Sequence, residues 1–249
     1  MKLNRDVFFD SVRSAPFTGS MSQDQVDGMN AILDTWENAW TENDDLRKLG
    51  YMLATTFHET AQKMQPVPEN GKGEGKDYGK KDPETGQVYY GRGFVQLTWR
   101  DNYARADEEM GWTQDQSCEW NADLQLDAYY ASPTMFKGMF EGWFRASSDG
   151  KRQTLGRWFN DTTDDPYNAR ECINGDKAMK PSWGGGKTYG QIIADYYMDF
   201  TAALNRAAEA APPDPRPEPD ADVANVTIHI TADRPVNVSV TFESPVVST

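Results

Sequence analysis

The sequence predicts a mainly α-helical domain over residues 1–210, followed by a spacer over 211–222 and a β-hairpin extension over 223–249. Three patterns predict this. Apolar residues recur at steps of three and four through the long segments before residue 210, the spacing of one helix face. Prolines alternate with charges from Ala211 to Asp220, a semi-rigid, solvated composition. Beyond it Val226, Ile228 and Ile230, then Val236, Val238, Val240 and Phe242, alternate with polar residues around Ala232-Asp233-Arg234-Pro235, the pattern of two strands and a turn. A two-stranded hairpin is marginal alone, so its apolar face is expected to dock on the main domain, on another subunit or on an external surface.

The elements follow in order. Asn4 to Ser14 reads as a short first helix, and a loop follows around Ala15-Pro16-Phe17-Thr18-Gly19. Ser22 with Gln25 three residues on is a capping-box pattern, and Val26, Met29, Leu33, Trp36 and Trp40 form one apolar stripe behind it. Asp44 or Asp45 can cap a third helix, whose stripe Leu46, Leu49, Leu53 and Phe57 runs straight into His58-Glu59-Thr60. From Gln65 to Gly93 the period disappears among Gly, Pro, Lys and Asp, a long loop of the kind that is usually functional. Tyr89 to Trp99 reads as a short extended segment, and helices return around Asn102 to Met110, Gln125 to Arg145, Gln153 to Asn160 and Tyr189 to Ala210. In the last of these Tyr189, Ile193, Tyr196, Phe200 and Leu204 keep the helical period. Trp143, Phe144 and Trp158 are assigned to the core.

Composition excludes several function classes. A net charge of −14 is the wrong sign for counterion-release binding to DNA or RNA, so no nucleic-acid partner is expected. No apolar run approaches the ~20 residues that a bilayer span needs, so no membrane insertion is expected. Charges at Lys2, Arg5 and Asp6 stand where a secretory signal would need its apolar stretch, which leads to the expectation of a protein that accumulates in the cytoplasm. Cys118 and Cys172 lack CxxC spacing and read as buried thiols in a reducing compartment.

The motif search points to carboxylates. His58-Glu59 lacks the second histidine of a zinc protease, because position 62 is Gln. Gly184-Gly185-Gly186-Lys187-Thr188 lacks the first glycine of a phosphate loop, where Pro181 stands, and Asp161 to Asp165 lacks the glycine of a calcium loop and reads as a helix-terminating turn. No metal and no cofactor are expected. Glu59, on a helix border beside apolar surface and facing a polar loop, suits a general acid, because desolvation favours the protonated carboxyl. Glycosidic hydrolysis needs a second carboxylate, and the loop offers Glu69, Glu74 and Glu84.

His58-Glu59-Thr60, followed by Tyr89-Tyr90-Gly91-Arg92-Gly93-Phe94-Val95-Gln96-Leu97-Thr98 and then Asn102-Tyr103, resembles the signature of family 19 glycoside hydrolases. These comprise plant-type chitinases and many phage endolysins. Asn121-Ala122-Asp123-Leu124 resembles the family's Asn-Pro-Asp-Leu stretch, and Cys172-Ile173-Asn174-Gly175 its Ile-Asn-Gly segment. The four segments recur in the family's order between about Leu46 and Gly175, and nothing after Ala210 is covered.

The resemblance implies a lysozyme-like, two-lobed helical fold with a central cleft and an inverting mechanism with one Glu as acid and one as base. Glu59 matches the acid. Pro66-Val67-Pro68-Glu69 matches the Pro-Val-x-Glu segment of the short phage-type members, which makes Glu69 the base, with Glu74 the runner-up and Glu84, in an ordinary turn, the last choice. Gln96 and Thr98 would line the cleft, Asn102 and Asn174 would bind N-acetyl groups or the attacking water, and Tyr90 would stack on a sugar or pack in the core. Arg92 would secure a carboxylate structurally, and His58 is given no proton transfer. The implied substrate is a β-1,4-linked N-acetylhexosamine glycan, either the peptidoglycan strand or chitin. The lack of a signal and of disulfide cysteines, with the short Pro-Val-x-Glu form, favours an endolysin that cleaves after N-acetylmuramic acid and reaches the wall of its bacterial host through a holin. Oligomeric state is left open.

Overall fold

The computed structural model describes residues 1–40, 45–147 and 150–211. The β-hairpin expected over 223–249 lies outside the described residues, as does the spacer over 211–222 apart from Ala211. The order is α1 (Arg5–Ser14), α2 (Gln23–Ala39), α3 (Leu46–Glu59), α4 (Arg100–Met110), α5 (Ala128–Glu141), a one-turn α6 (Leu155–Trp158), strands β1 (Phe159–Asn160) and β2 (Thr163–Asp164), and α7 (Tyr189–Glu209). Short 3-10 turns at Asp77–Gly79, Gln114–Gln116, Ala122–Leu126 and Asn168–Cys172 punctuate the connections. No described helix is long and apolar enough to cross a membrane.

Caps start the helices where the residue types suggest. Asn4 and Asp45 accept backbone N–H bonds at the starts of α1 and α3, and reciprocal capping boxes open α2 at Ser22 and Gln25 and α7 at Thr188 and Gln191. Helix α3 is the axis of the fold. Its sequence stripe predicts one buried face, yet every residue from Leu49 to Phe57 is buried, as expected of a helix enclosed on all sides. Close approach to α7 makes this possible: a Cβ on Gly50 would stand 2.2 Å from Thr201 Oγ1. The principal core joins Phe8, Ile32, Trp36, Leu53, Phe57, Phe136, Phe159 and Phe200 around this axis.

A second, smaller cluster of Tyr89, Leu97, Tyr103, Cys118 and Ala122 forms the other lobe. Phe144 packs against both clusters. The fold is therefore mainly helical and two-lobed, as predicted.

Four local expectations are corrected. Tyr89–Trp99 is not an extended segment: Arg92 and Leu97 form an isolated antiparallel bridge around a tight reversal, with Gly93, Gln96 and Trp99 at positive φ. The helix expected over Gln125–Arg145 starts only after Asp127, which caps it, and stops at Gly142, which takes the left-handed conformation. The helix expected over Gln153–Asn160 is a single turn that passes into the β1–β2 hairpin, in register Phe159 with Asp164 and Asn160 with Thr163. Asp161-Thr162 is the hairpin turn rather than a helix end, and Asn160 Oδ1 accepts the Thr162 N–H at 3.0 Å within it. Arg47 at the start of α3 holds this hairpin by donating to Asn160 O at 3.1 Å and Thr163 O at 3.3 Å.

Candidate active site

Between the lobes lies an open cleft of about 520 Å³, lined by Glu59, Glu69, Tyr78, Gly91, Val95, Gln96, Thr98, Trp99, Asn102, Phe144, Ile173 and Asn174. Glu59 is the last residue of α3, so a buried helix fixes its backbone while its side chain reaches the cleft. Its carboxylate is not surrounded by apolar groups alone, as the sequence reading supposes. Arg170 Nη1 donates to Glu59 Oε1, and the same guanidinium grips Asp176 through Nε at 2.7 Å and Nη2 at 3.0 Å. Arg170 is only 3% exposed. Burial opposes its charge, but Glu59 and Asp176 more than offset that and raise its pKa above the ordinary arginine value.

Glu69 comes from the long loop and is anchored differently. Tyr78 Oη donates to Oε1 at 2.8 Å, and the Gly91 N–H donates to Oε2 at 3.1 Å. Backbone bonds from Glu69 N to Gly91 O at 2.7 Å and from Val67 N to Gly93 O at 3.4 Å close the neck of the loop. The approach is tight: a Cβ on Gly91 would stand 3.0 Å from Gln96 Oε1 and 3.4 Å from Glu69 Cβ. Tyr78 is held by its own loop, where a Cβ on Gly79 would meet Gly73 O at 1.8 Å and one on Gly73 would touch the Tyr78 ring at 3.0 Å. Burial first, and Glu69 second, raise the Tyr78 pKa, so it stays a phenol that donates.

On the Gln96, Thr98 and Asn102 side of the cleft most polar donors point at the backbone. Gln96 Nε2 donates to Val67 O at 3.0 Å, Thr98 Oγ1 to Gln96 O at 2.8 Å, and Asn102 Nδ2 to Thr98 O at 2.7 Å. What remains is acceptor capacity on all three side chains and one N–H of the Asn102 amide, suited to an N-acetyl group, to sugar hydroxyls or to a water. Asn174 is exposed on the opposite wall beside Ile173.

This chain gives no match to a known family model and none to the curated proteins. Solved structures do match. A bacterial family 19 chitinase aligns with a TM-score of 0.50 at 23% identity, over 81% of this chain and 94% of that one. Chitinase C from Streptomyces griseus gives 0.50 at 20% identity, over 82% and 76%. The fold is that of the family 19 chitinases.

Within this chitinase-like fold the structure brings together Glu59, Glu69, Gln96, Thr98, Asn102 and Asn174 on one cleft. It does not bring Glu74 or Glu84 there: Glu74 is exposed on the loop, and Glu84 is bound to Arg100 at 2.8 Å. Tyr90 is corrected as a sugar-stacking residue. It is 6% exposed, lies outside the cleft lining, and carries the Arg92 guanidinium over its ring at 3.6 Å. Arg92 in turn binds Asp123 at 2.8 Å, the structural role expected of it. Phe144 is corrected in the other direction: it is not simply core but lines the cleft, its ring seated on Gly138 of α5, where a Cβ would stand 2.1 Å away. Trp143 is buried as expected, and Trp158 is half-buried against the principal core.

Sequence reasoning missed Tyr78, Trp99 and Arg170. Arg170 stands 111 residues from Glu59, and only its place just before Ile173-Asn174-Gly175 could have signalled it. His58 lies away from the cleft beside the rings of Trp183 and Tyr189, and burial lowers its pKa. The free thiols are buried, and burial pushes Cys118 up to about 12. No group of three His, Cys, Asp or Glu able to hold a metal occurs among the described residues.

Proposed function

We propose that the chain hydrolyses β-1,4-linked N-acetylhexosamine glycans, with Glu59 as general acid and Glu69 as general base. One observation carries this reading: two carboxylates from different elements meet on one open cleft, each held through part of its oxygen surface with acceptor capacity to spare. In this mechanism Glu59 gives a proton to the glycosidic oxygen as the bond to C1 breaks. Glu69 takes a proton from a water that attacks C1 from the opposite face, and the configuration inverts. Gln96, Thr98, Asn102 and Asn174 hold the N-acetyl groups and the water. The scheme uses no metal and no organic cofactor.

The substrate we favour is the peptidoglycan strand, cut after N-acetylmuramic acid by an endolysin that accumulates in the host cytoplasm and is released to the wall by a holin. The likeness of Pro66-Val67-Pro68-Glu69 to the phage-type segment supports it. A second reading, cleavage of chitin, is favoured by the names of the structural neighbours, which are chitinases. Mass spectrometry of the soluble products from peptidoglycan and from chitin oligosaccharide, with wild type and Glu59→Gln, tests both. Muropeptides with reducing N-acetylmuramic acid ends that vanish in the variant support the endolysin. Cleavage of chitin alone replaces it with the chitinase, and cleavage of neither refutes the hydrolase.

A further inference from the structure

Arg145 has no place in the mechanism above, yet it is held with care beside the cleft. It follows Phe144, a residue of the lining, and its guanidinium rests on Gly175, which follows Asn174 of the same lining. A Cβ on Gly175 would stand 2.5 Å from Arg145 Nη1 and 2.6 Å from both Cζ and Nη2. Gly175 is not at positive φ, so what this position requires is room for the guanidinium rather than backbone freedom. Arg145 Nε donates to Glu171 Oε2 at 3.0 Å, which fixes the orientation of the planar group. The side chain nevertheless stays 39% exposed.

Two observations separate this arginine from a structural one. Among the described residues its Nη1 and Nη2 meet no protein acceptor and only Nε is spent. Arg92, by contrast, gives Nη1 to Val88 O, and Arg170 gives Nη1 to Glu59 and Nη2 to Asp176. Nor does Glu171 depend on Arg145 for a partner, because Lys177 Nζ lies 3.3 Å from Glu171 Oε1. A guanidinium fork that is oriented, exposed and unspent at both outer nitrogens is suited to a carboxylate, which it can take through two parallel hydrogen bonds.

Substrate chemistry indicates where such a carboxylate would come from. Chitin is neutral. The peptidoglycan strand carries a peptide on the lactyl group of its N-acetylmuramic units, and that peptide bears free carboxylates. A strand whose sugar rings occupy the cleft sends this peptide sideways over the rim, where Arg145 stands.

We propose that Arg145 binds a carboxylate of the stem peptide and so gives the enzyme its preference for peptidoglycan over chitin. This rests on the glycan-hydrolase reading and deepens it. Glu59 and Glu69 break the bond, while Arg145 selects the glycan that reaches them.

Three ligands test the assignment: soluble peptidoglycan strands with native stems, the same strands with their stem carboxylates converted to neutral methylamides, and N-acetylglucosamine hexamer. Turnover is measured for wild type, Arg145→Gln and Arg145→Lys, and affinity by calorimetry for Glu59→Gln and Glu59→Gln/Arg145→Gln. Wild type is expected to have a KM about tenfold lower for native than for neutralised strands at similar kcat, and Arg145→Gln to bring that ratio close to one. Arg145→Lys, which keeps the charge without the fork, should keep part of it. The wild-type ratio should shrink as salt rises from about 0.05 to 0.5 M. Because Lys177 still pairs with Glu171, the melting point of Arg145→Gln should stay within a few degrees of wild type, and the comparison of native with neutralised strands needs no variant at all.

Cleavage of peptidoglycan with the same native-to-neutralised ratio in wild type and Arg145→Gln overturns the proposal and leaves the hydrolase standing. Cleavage of the hexamer alone, with no Arg145-dependent binding of the strands, does the same. If wild type cleaves none of the three, the hydrolase falls and affinity decides the proposal. A loss of about tenfold on Arg145→Gln that is confined to native strands supports it, and equal affinities or no binding overturn it.

Discussion

Arg170→Met is the most informative substitution, because Arg170 joins stability to the geometry of the candidate acid. Its guanidinium is 3% exposed and binds two carboxylates that are themselves only 15% and 17% exposed, Glu59 and Asp176. Methionine replaces much of the volume and none of the charge, leaving two largely buried carboxylates facing each other. Breaking a buried pair in this way costs about 3–5 kcal/mol. For a domain of this size each kcal/mol moves Tm by roughly 2–4 °C, so the melting point should fall by about 6–20 °C. Reversible urea denaturation of wild type, Arg170→Met, Glu59→Gln and the double variant then isolates the pair. Because Glu59→Gln removes one of the stranded charges, a coupling of about 1–3 kcal/mol is expected. Arg170→Lys, which keeps the charge and loses the planar fork, should fall between. A coupling below about 0.5 kcal/mol, with Arg170→Met nearly as stable as wild type, would refute the argument that this ion network anchors the end of α3.

Other perturbations test the rest of the cleft. Tyr78→Phe removes one hydrogen bond to a charged group, worth about 1.5–3 kcal/mol, so kcat should drop roughly ten- to a hundredfold with little change in KM; an unchanged kcat would remove Tyr78 from the support of Glu69. Gly91→Ala places a methyl group 3.0 Å from Gln96 Oε1 and 3.4 Å from Glu69 Cβ, and activity should fall about tenfold to a hundredfold for a Tm shift of only a few degrees. A variant that melted far lower but turned over normally would contradict this. His58 has its pKa lowered by burial, with Glu59 opposing and Arg170 adding to the shift, so the unfolded chain binds the extra proton first. Its contribution is present above about pH 6.5 and is lost as pH falls through the lower folded value, so urea midpoints measured from about pH 7.5 to 5.5 should fall less steeply in His58→Gln.

The parts of the fold that could be read from the residues are those that local rules specify. Ser22 with Gln25 and Asp45 ahead of Leu46 begin helices for reasons contained within four residues, and the stripes of α2 and α7 need only their own turns. The misread parts depend on distant partners. The one-turn α6 gives way to a hairpin that Arg47, more than a hundred positions earlier, holds in place. The reversal after Arg92 is set by positive φ at Gly93, Gln96 and Trp99, only one of which is a glycine. The cleft shows the same division: Glu59 and Glu69 stand in recognisable strings, whereas Arg170 and Tyr78 have no local pattern and emerge only when the chain is folded. Tyr90 has the composition of a sugar contact but is taken up by Arg92.

The closed neck of the 65–93 loop makes that loop a module. Its ends are tied to each other at Glu69 with Gly91 and at Val67 with Gly93, so the position of Glu69 is set at the stem and by Tyr78. The Gly73–Gly79 contact that holds Tyr78 fixes the stretch between the stem and Tyr78, so length change is confined to the turn around Pro83 to Gly86, where doubling a flexible loop costs only about 0.6 kcal/mol. Sequence drift can therefore remodel that turn while both carboxylates stay in register, and the same turn is a natural point for grafting a foreign glycan-recognition loop.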